Sequence, residues 1–207
     1  MAWILHREAG LVVVNKPAGL LSVPGRGADK QGCAWSRLLD DCADALIVHR
    51  LDMATSGLLL FARGPDMQRA LGMAFEQRAV HKRYVAVVDG DPDEDAGEIA
   101  LPLMADWPKR PLQKVDAVHG KAALTRWRVL ARGEQQRTRI EFEPVTGRSH
   151  QLRVHAAAMG WPIVGDRLYA DPARAAAEPR LLLHASELAL VHPLDGRRLS
   201  WTAAPPF

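Results

Sequence analysis

Cysteine is scarce in this chain. Cys33 and Cys42 are the only two in 207 residues, too few for a disulfide framework and suited to a reducing compartment. No run of about 18 apolar residues occurs, so no membrane span and no membrane partner are expected. The start, Met1-Ala2-Trp3-Ile4-Leu5-His6-Arg7-Glu8, meets acid too early for a secretory leader. A cytoplasmic location is the expectation. Nucleotide-binding and hydrolase signatures are missing too. There is no Rossmann fingerprint and no Gly-x-Ser-x-Gly, and Gly25-Arg26-Gly27 is not followed by the Gly-Lys-Ser/Thr of a phosphate loop. His49, His150, His155 and His184 match no familiar zinc spacing, and His155 reads as a packed, hydrogen-bonded helix residue. The expectation is no cofactor and no metal. The chain has no internal repeat and no long low-complexity tract.

What is present is an ordinary globular composition, 48% hydrophobic and 25% charged, long enough to bury a substantial core. A net charge of +3 says little; its distribution says more. Residues 89–106 carry seven acids and no Lys or Arg, whereas 107–153 carry eleven Lys or Arg against four acids. Arginine forks fit phosphate and stack on bases, so the second stretch reads as a candidate RNA-facing surface, or else as a solvated face. Within it, Trp107-Pro108-Lys109-Arg110-Pro111 sets an aromatic beside two cations in a loop bounded by prolines, a plausible single-strand contact. The other tryptophans (Trp3, Trp35, Trp127, Trp161, Trp201) read mostly as core.

Periodicity predicts strands over 11–15, 57–62, 84–88, 121–130, 138–144, 181–185, 187–191 and 198–202. Helices are predicted over 34–41, over 65–77 with Met67, Ala70, Leu71, Ala74 and Phe75 on one face, and from a Ser149 cap with Leu152, Ala156 and Met159 on one face. Residues 22–32 read as a loop, 89–106 as a surface connection, 131–137 as the link of a strand pair, and 192–196 as a turn. Strands joined by short turns with few helices argue an α+β fold with a largely antiparallel sheet.

The densest chemistry lies at His49-Arg50-Leu51-Asp52-Met53-Ala54-Thr55-Ser56-Gly57. It places a carboxylate two residues after an arginine, before a Thr-Ser-Gly turn and an apolar strand. An acid in a polar turn against a buried strand is either a cap or a reactive group. Other motifs accompany it in order: Val13-Val14-Asn15-Lys16-Pro17-Ala18-Gly19-Leu20-Leu21-Ser22-Val23-Pro24-Gly25, Lys82-Arg83-Tyr84-Val85-Ala86, Thr146-Gly147-Arg148-Ser149-His150-Gln151-Leu152-Arg153-Val154-His155, Gly165-Asp166-Arg167-Leu168-Tyr169 and Leu181-Leu182-Leu183-His184-Ala185. Together they resemble the RluA-type pseudouridine synthases nearly end to end.

That resemblance implies a pseudouridine synthase fold: a mixed, largely antiparallel sheet in two halves with a central cleft. Residues 1–207 would be a single catalytic domain without the S4-type RNA-binding module of longer members. It also implies an isomerase that breaks the N1–C1′ bond of a loop uridine and rejoins the base through C5. Asp52 would be the nucleophile, Arg153 its ion-pair partner, and Tyr84 the residue that stacks on uracil and takes the C5 proton. Arg50 would fill the space left by the flipped base. RNA contacts are expected at His49, Arg50, Trp107, Lys109, Arg110, Lys114 and Arg148. The resemblance to the short branch extends through 105–122 and implies its two substrates, uridine 32 of a tRNA anticodon stem-loop and uridine 746 of a 23S rRNA hairpin. No protein partner is evident, and a monomer is expected. Two other readings stay open, a sibling synthase with another RNA target and a silent RNA-binding relative. A small-molecule glycosidase would need a second carboxylate facing Asp52, and the motif offers none.

Overall fold

The computed structural model describes residues 3–27, 30–134 and 136–207. Parts of the expected 22–32 loop and 131–137 link therefore lie outside the described residues. The elements form an α+β mixed sheet with few helices. They group into two compact units, Met1–Lys82 with His184–Pro206, and Arg83–Leu183 with Phe207.

Unit 1 is built on the most apolar runs. Strand β1 (Ile4–Arg7) pairs antiparallel with β2 (Leu11–Lys16), which pairs antiparallel with β4 (Ser56–Arg63) from Leu11 opposite Ala62 to Lys16 opposite Gly57. Val12, Val13, Val14, Leu59, Leu60 and Phe61 are buried. Strands covered on both faces read as continuous apolar runs, and each such side chain contributes roughly 1.5–3 kcal/mol. The far edge of β4 is shared. Its start runs parallel to β11 (Leu183–Val191), with His184 opposite Ser56 and Ala185 opposite Gly57; its end runs antiparallel to β3 (Ala45–Ile47). Strand β12 (Arg198–Thr202) closes the edge against β11. Helix α1 (Ala34–Leu39) starts at Cys33, whose sulfur accepts from the N–H of Ser36. Helix α2 (Pro65–Glu76) has proline in its first turn and buries Met67 and Leu71, on the predicted face.

Unit 2 is an antiparallel run: β5 (His81–Asp89) with β10 (Arg137–Pro144), β10 with β9 (Thr125–Arg132), and β9 with β6 (Ala96–Ile99). A separate hairpin, β7 (Leu103–Ala105) and β8 (Gln113–Val115), carries a one-turn 3₁₀ helix, Trp107–Lys109, in its loop. Tyr84 lies opposite Phe142, which lies opposite Trp127, so register puts all three on one face of the sheet. Helix α3 (Gln151–Ala158) packs against β8, β9 and β10. Trp161 stacks on Phe142 with ring centroids 6.1 Å apart. A short α4 (Pro172–Ala176) is capped by Asp171, which accepts from the N–H groups of Ala173 and Arg174. Trp127 and Trp161 are core; Trp3, Trp35 and Trp201 are half-buried.

Several expectations need correction. The acidic stretch 89–106 is not only a surface connection, because it contains β6 and β7. Its acids are half of an ion-pair pattern: Glu98 meets Arg126 at 2.9 Å, and Asp95 meets Arg132 at 2.8 Å, with Asp91 on the same guanidinium. The basic stretch is neutralised in turn, since Arg128 meets Glu141 at 2.7 Å and Arg137 meets Glu178 at 2.7 Å. Most of those arginines therefore do not form an RNA-facing surface of unbalanced charge. Ser149 does not cap α3. His150 occupies the cap position with φ +54°, and no side chain bonds there; instead Gln151 Oε1 accepts from the Arg148 N–H at 2.9 Å. Met159 is 45% exposed and lies past the packed turns. The pairs 181–185 and 187–191 are one strand, because polar Ser186 and Glu187 sit inside β11, across from β12 at Glu187. Strand β9 begins at Thr125, and Lys121 is tied to Leu103 in an isolated bridge. β1 and β3 are too short to stand out by periodicity. Strand β4 starts at Ser56, one residue before the expected 57–62.

Gly57 is irreplaceable for a measurable reason. It has φ +113°, and a Cβ would sit 2.3 Å from the backbone oxygen of Ala185. The clash is with backbone, so no side chain can swing away. Gly57→Ala is expected to cost about 3 kcal/mol or more, read as a lowered urea midpoint at unchanged slope. A midpoint equal to wild type would show that β4 and β11 are less tightly joined.

Candidate active site

Asp52 lies in the loop between β3 and β4 and is half-buried. The backbone on both sides of it is held by buried donors. Ser22 Oγ donates to Leu51 O at 2.7 Å and accepts from Leu51 N at 3.0 Å. The Lys16 ammonium is fully buried and donates to Pro17 O at 3.0 Å, Leu20 O at 2.7 Å and Met53 O at 3.2 Å. Gly19 N adds a bond to Met53 O at 2.8 Å. Three carbonyl dipoles replace the water that an ammonium needs, which is how a lysine can be taken inside. The first motif and the central motif thus form one device. Residues 16–22 grip the peptide groups at 51 and 53, and Asp52 is carried between them.

Two further residues of the central motif anchor it to the sheet. Ser56 Oγ lies 2.8 Å from His184 Nδ1, both buried. His49 Nε2 accepts from the N–H of Leu60 at 2.9 Å, and its ring stacks on Phe75 with centroids 4.4 Å apart. The edge of β4 pairs with β11 at Ser56 and Gly57 and with β3 from Phe61 onward. The imidazole supplies the missing acceptor in between. Expected as an RNA contact, His49 is placed here as a rung of the sheet. Arg50 is exposed and has no ion pair or hydrogen bond among the described residues.

In unit 2, Arg153 is on α3 and buried. Its Nε donates to Asp166 Oδ2 and its Nη2 to Asp166 Oδ1, each at 2.7 Å. Asp166 Oδ1 also accepts from Leu168 N at 2.9 Å and Tyr169 N at 3.2 Å. This two-toothed clamp fixes the guanidinium plane. Around it, α3 carries buried polar groups whose partners are complete. Gln151 Oε1 accepts from Thr146 Oγ1 and Arg148 N, and its amide donates to Leu124 O and Thr125 Oγ1, all at 2.7–3.0 Å. His155 Nε2 donates to Leu101 O at 2.9 Å, so Nδ1 accepts from Thr125 Oγ1 at 2.9 Å. Burial holds the His155 pKa below its ordinary value. Tyr84 is half-buried on β5.

The expected RNA contacts of unit 2 divide. Trp107 is 64% exposed, and Arg110 lies over its ring with Cζ 3.5 Å from the centroid. Lys109 and Arg110 are exposed on the same loop. Lys114 is exposed beside Asp116, at 3.5 Å. Arg148 is half-buried, its Nε donating to Ala122 O at 3.1 Å. Sequence reasoning quoted the motifs of Lys16, Ser22, Asp166 and Tyr169 without giving these residues work. A polar side chain becomes informative when it is buried, and burial is not visible in a motif.

Comparison with known proteins decides the family. The RNA pseudouridylate synthase model matches residues 10–158, from just before β2 to the end of α3. The chain belongs to the RNA pseudouridylate synthase family. The chemistry of that family is an isomerisation performed on RNA. The chain is 49% identical over 190 residues to the dual-specificity RNA pseudouridine synthase RluA of Vibrio cholerae, covering 92% of this chain and 77% of that one. It is 46% identical over 204 residues to the protein of the same name from Escherichia coli strain K12, covering 99% and 93%. Among solved structures, human RNA pseudouridylate synthase domain containing 1 superposes with a TM-score of 0.82 at 27% identity, covering 99% of this chain and 83% of that one. Human RNA pseudouridylate synthase domain containing 4 superposes with a TM-score of 0.79 at 26% identity, covering 98% and 88%. No helix of the described residues is long and apolar enough to cross a membrane.

The His49 rung makes the site-bearing loop sensitive to acid. Burial first, and then the charge of Lys82, lowers its pKa from 6.5 to about 3. The folded state holds the ring neutral where the unfolded state protonates it. Its contribution is therefore complete above pH 6.5 and is lost as pH falls toward 3. Between about pH 6.5 and 4.5, wild type is expected to lose up to about 1.4 kcal/mol per pH unit more than His49→Gln, by urea unfolding. Parallel pH profiles for the two proteins would place the imidazole in water instead.

Proposed function

We propose that the protein converts loop uridines of RNA to pseudouridine as a single catalytic domain, with Asp52 as the nucleophile. The observation that carries this reading is the Asp52 loop itself, inside the family match and clamped at Leu51 and Met53 by Ser22, Lys16 and Gly19. A nucleophile works when its approach is fixed before the substrate arrives. A carboxylate that adds to the substrate divides one hard bond cleavage into two easier steps. Arg153 is proposed as the cation that orients that carboxylate. Its own orientation is set by Asp166. Tyr84 stacks on the uracil and removes the C5 proton once the base has turned.

A uridine within a structured loop must leave its stack to react. Arg50, exposed and without a protein partner among the described residues, takes the vacated place, since a guanidinium can stack and meet phosphate at once. Trp107, Lys109, Arg110 and Lys114 hold the RNA backbone, and Arg148 supports them. The proposed substrates are those of the dual-specificity relatives' branch: a tRNA anticodon stem-loop at uridine 32 and a 23S rRNA hairpin at uridine 746. The identity to those relatives supports this choice. A monomer in the cytoplasm, without cofactor or metal, is part of the same proposal.

Asp52→Asn keeps the shape of the loop and removes the nucleophile. Tritium release from uridine-labelled stem-loop RNA is expected to fall at least about a hundredfold, with RNA binding within a few-fold of wild type. Residual turnover above that level would move the nucleophile elsewhere.

Arg50 and the hairpin cations are expected to separate kinetically. Arg50→Ala lowers kcat at saturating RNA, because flipping fails. Lys109→Ala with Arg110→Ala raises KM and flattens the salt dependence of binding by about two phosphate contacts. Equal effects of both changes on KM alone would deny Arg50 its part in flipping.

A further inference from the structure

Tyr169 has no part in the scheme above, yet its surroundings in unit 2 are specific. Its hydroxyl accepts from the N–H of Gln113 at 2.8 Å. Gln113 opens β8, directly after the loop that bears Trp107, Lys109 and Arg110. The same oxygen lies 2.6 Å from Nδ1 of His150. A hydroxyl and an imidazole can make that bond with either one as the donor, according to the tautomer. The ring packs against the apolar cluster of Leu103, Ala123 and Val154. The Arg153 guanidinium lies over it, 5.2 Å from the centroid. Its backbone N–H is held by Oδ1 of Asp166, the carboxylate that forks Arg153. One side chain thus bonds the hairpin at β8 and the residue just before α3, and lies under the arginine.

The His150 end is also particular. Its φ of +54° is in the left-handed region, uncommon for a residue with a side chain. A conformation of that kind persists where the surroundings fix it.

We infer that Tyr169 is a positioning residue, holding the RNA-gripping hairpin at a set distance from Arg153. Its hydroxyl fixes the hairpin to the start of α3, and its ring supports the guanidinium. Phosphates gripped by the loop then fix where the target uridine lies relative to that arginine. The inference rests on the reading of the hairpin as an RNA contact.

Tyr169→Phe separates the two halves of this role. It removes both hydrogen bonds and keeps the ring, its apolar packing and its contact with Arg153. KM for an anticodon stem-loop is expected to rise about tenfold, with a much smaller change in kcat. Tyr169→Leu also removes the aromatic face, and kcat is expected to fall about tenfold as well. Both parameters are taken per folded molecule, with the melting temperature measured alongside. If the two variants lose stability but keep KM and kcat, Tyr169 is only packing and the inference is overturned.

His150 provides a second test. Asparagine tolerates the left-handed backbone and offers an amide that can give or accept a hydrogen bond near the place of Nδ1, whereas glycine tolerates the backbone and offers none. His150→Asn should keep KM near wild type and His150→Gly should raise it. Equal KM for His150→Gly and wild type would remove the hydrogen bond from the argument. The hairpin reading is checked in the same series. If Lys109→Ala with Arg110→Ala binds RNA as wild type does, that reading fails and the inference with it. If this protein binds weakly while Tyr169→Phe keeps the wild-type KM, the hairpin reading stands and only the coupling is lost.

Discussion

A guanidinium can lie inside unit 2 because Asp166 meets it with both oxygens. The side chains of Arg153 and Asp166 are 6% and 0% exposed. An unpaired charge at that depth would cost several kcal/mol, and even a paired one gains little overall stability. What the pair provides is direction. Much nearby is arranged to make the pairing possible. Gly165 has φ +76°, and a Cβ there would lie 2.0 Å from Arg180 O, so only glycine lets the chain press in and turn Asp166 toward α3. The N–H groups of Leu168 and Tyr169 share the load on the carboxylate.

Unit 1 solves the same problem differently. The carboxylate proposed as the nucleophile, Asp52, is on a loop, and loops are held by polar contacts or hardly at all. Here the holding groups are taken out of water: a lysine among carbonyls, a serine that both gives and receives at one peptide group, and a neutral imidazole in place of a strand. Each is intolerant of substitution for a stated reason, because removing one partner leaves another buried and unsatisfied. The motif residues around Asp52 are therefore mostly there to immobilise the loop.

Much of the fold was readable. The apolar runs 11–15 and 57–62 and the amphipathic helix 65–77 identify themselves by period, and proline and glycine mark their ends. What escaped was short or polar. β3 has only three residues, and β6, Ala-Gly-Glu-Ile, has one large apolar side chain, so neither is long and patterned enough to announce a strand. The cap of α3 differs because a serine before a helix is usually the cap, and here His150 holds that position with no side-chain bond while Gln151 accepts from the N–H of Arg148 ahead of the helix. The site divides along similar lines. Asp52, Tyr84 and Arg153 were picked out through the family motifs. Asp166 was not, since its role depends on a partner thirteen residues earlier that comes near only after α3 has formed. His49 is expected from its motif as an RNA contact; its stacking on Phe75 could be known only once α2 was placed.

The pairing of β6 with β9 has an effect beyond the sheet. Glu98, Arg126, Glu143, Arg128 and Glu141 alternate in sign within a few ångströms of one another. An alternating lattice cancels its own field at short range, and salt removes what remains beyond roughly 8 Å. A polyanion meeting that face would be repelled as much as attracted, whereas Lys109 and Arg110 stand exposed on the Trp107 loop with no ion pair among the described residues. On the proposed reading of that loop as the RNA contact, acidic residues that look like an interruption in the sequence would act as insulation, narrowing the directions from which a nucleic acid is captured.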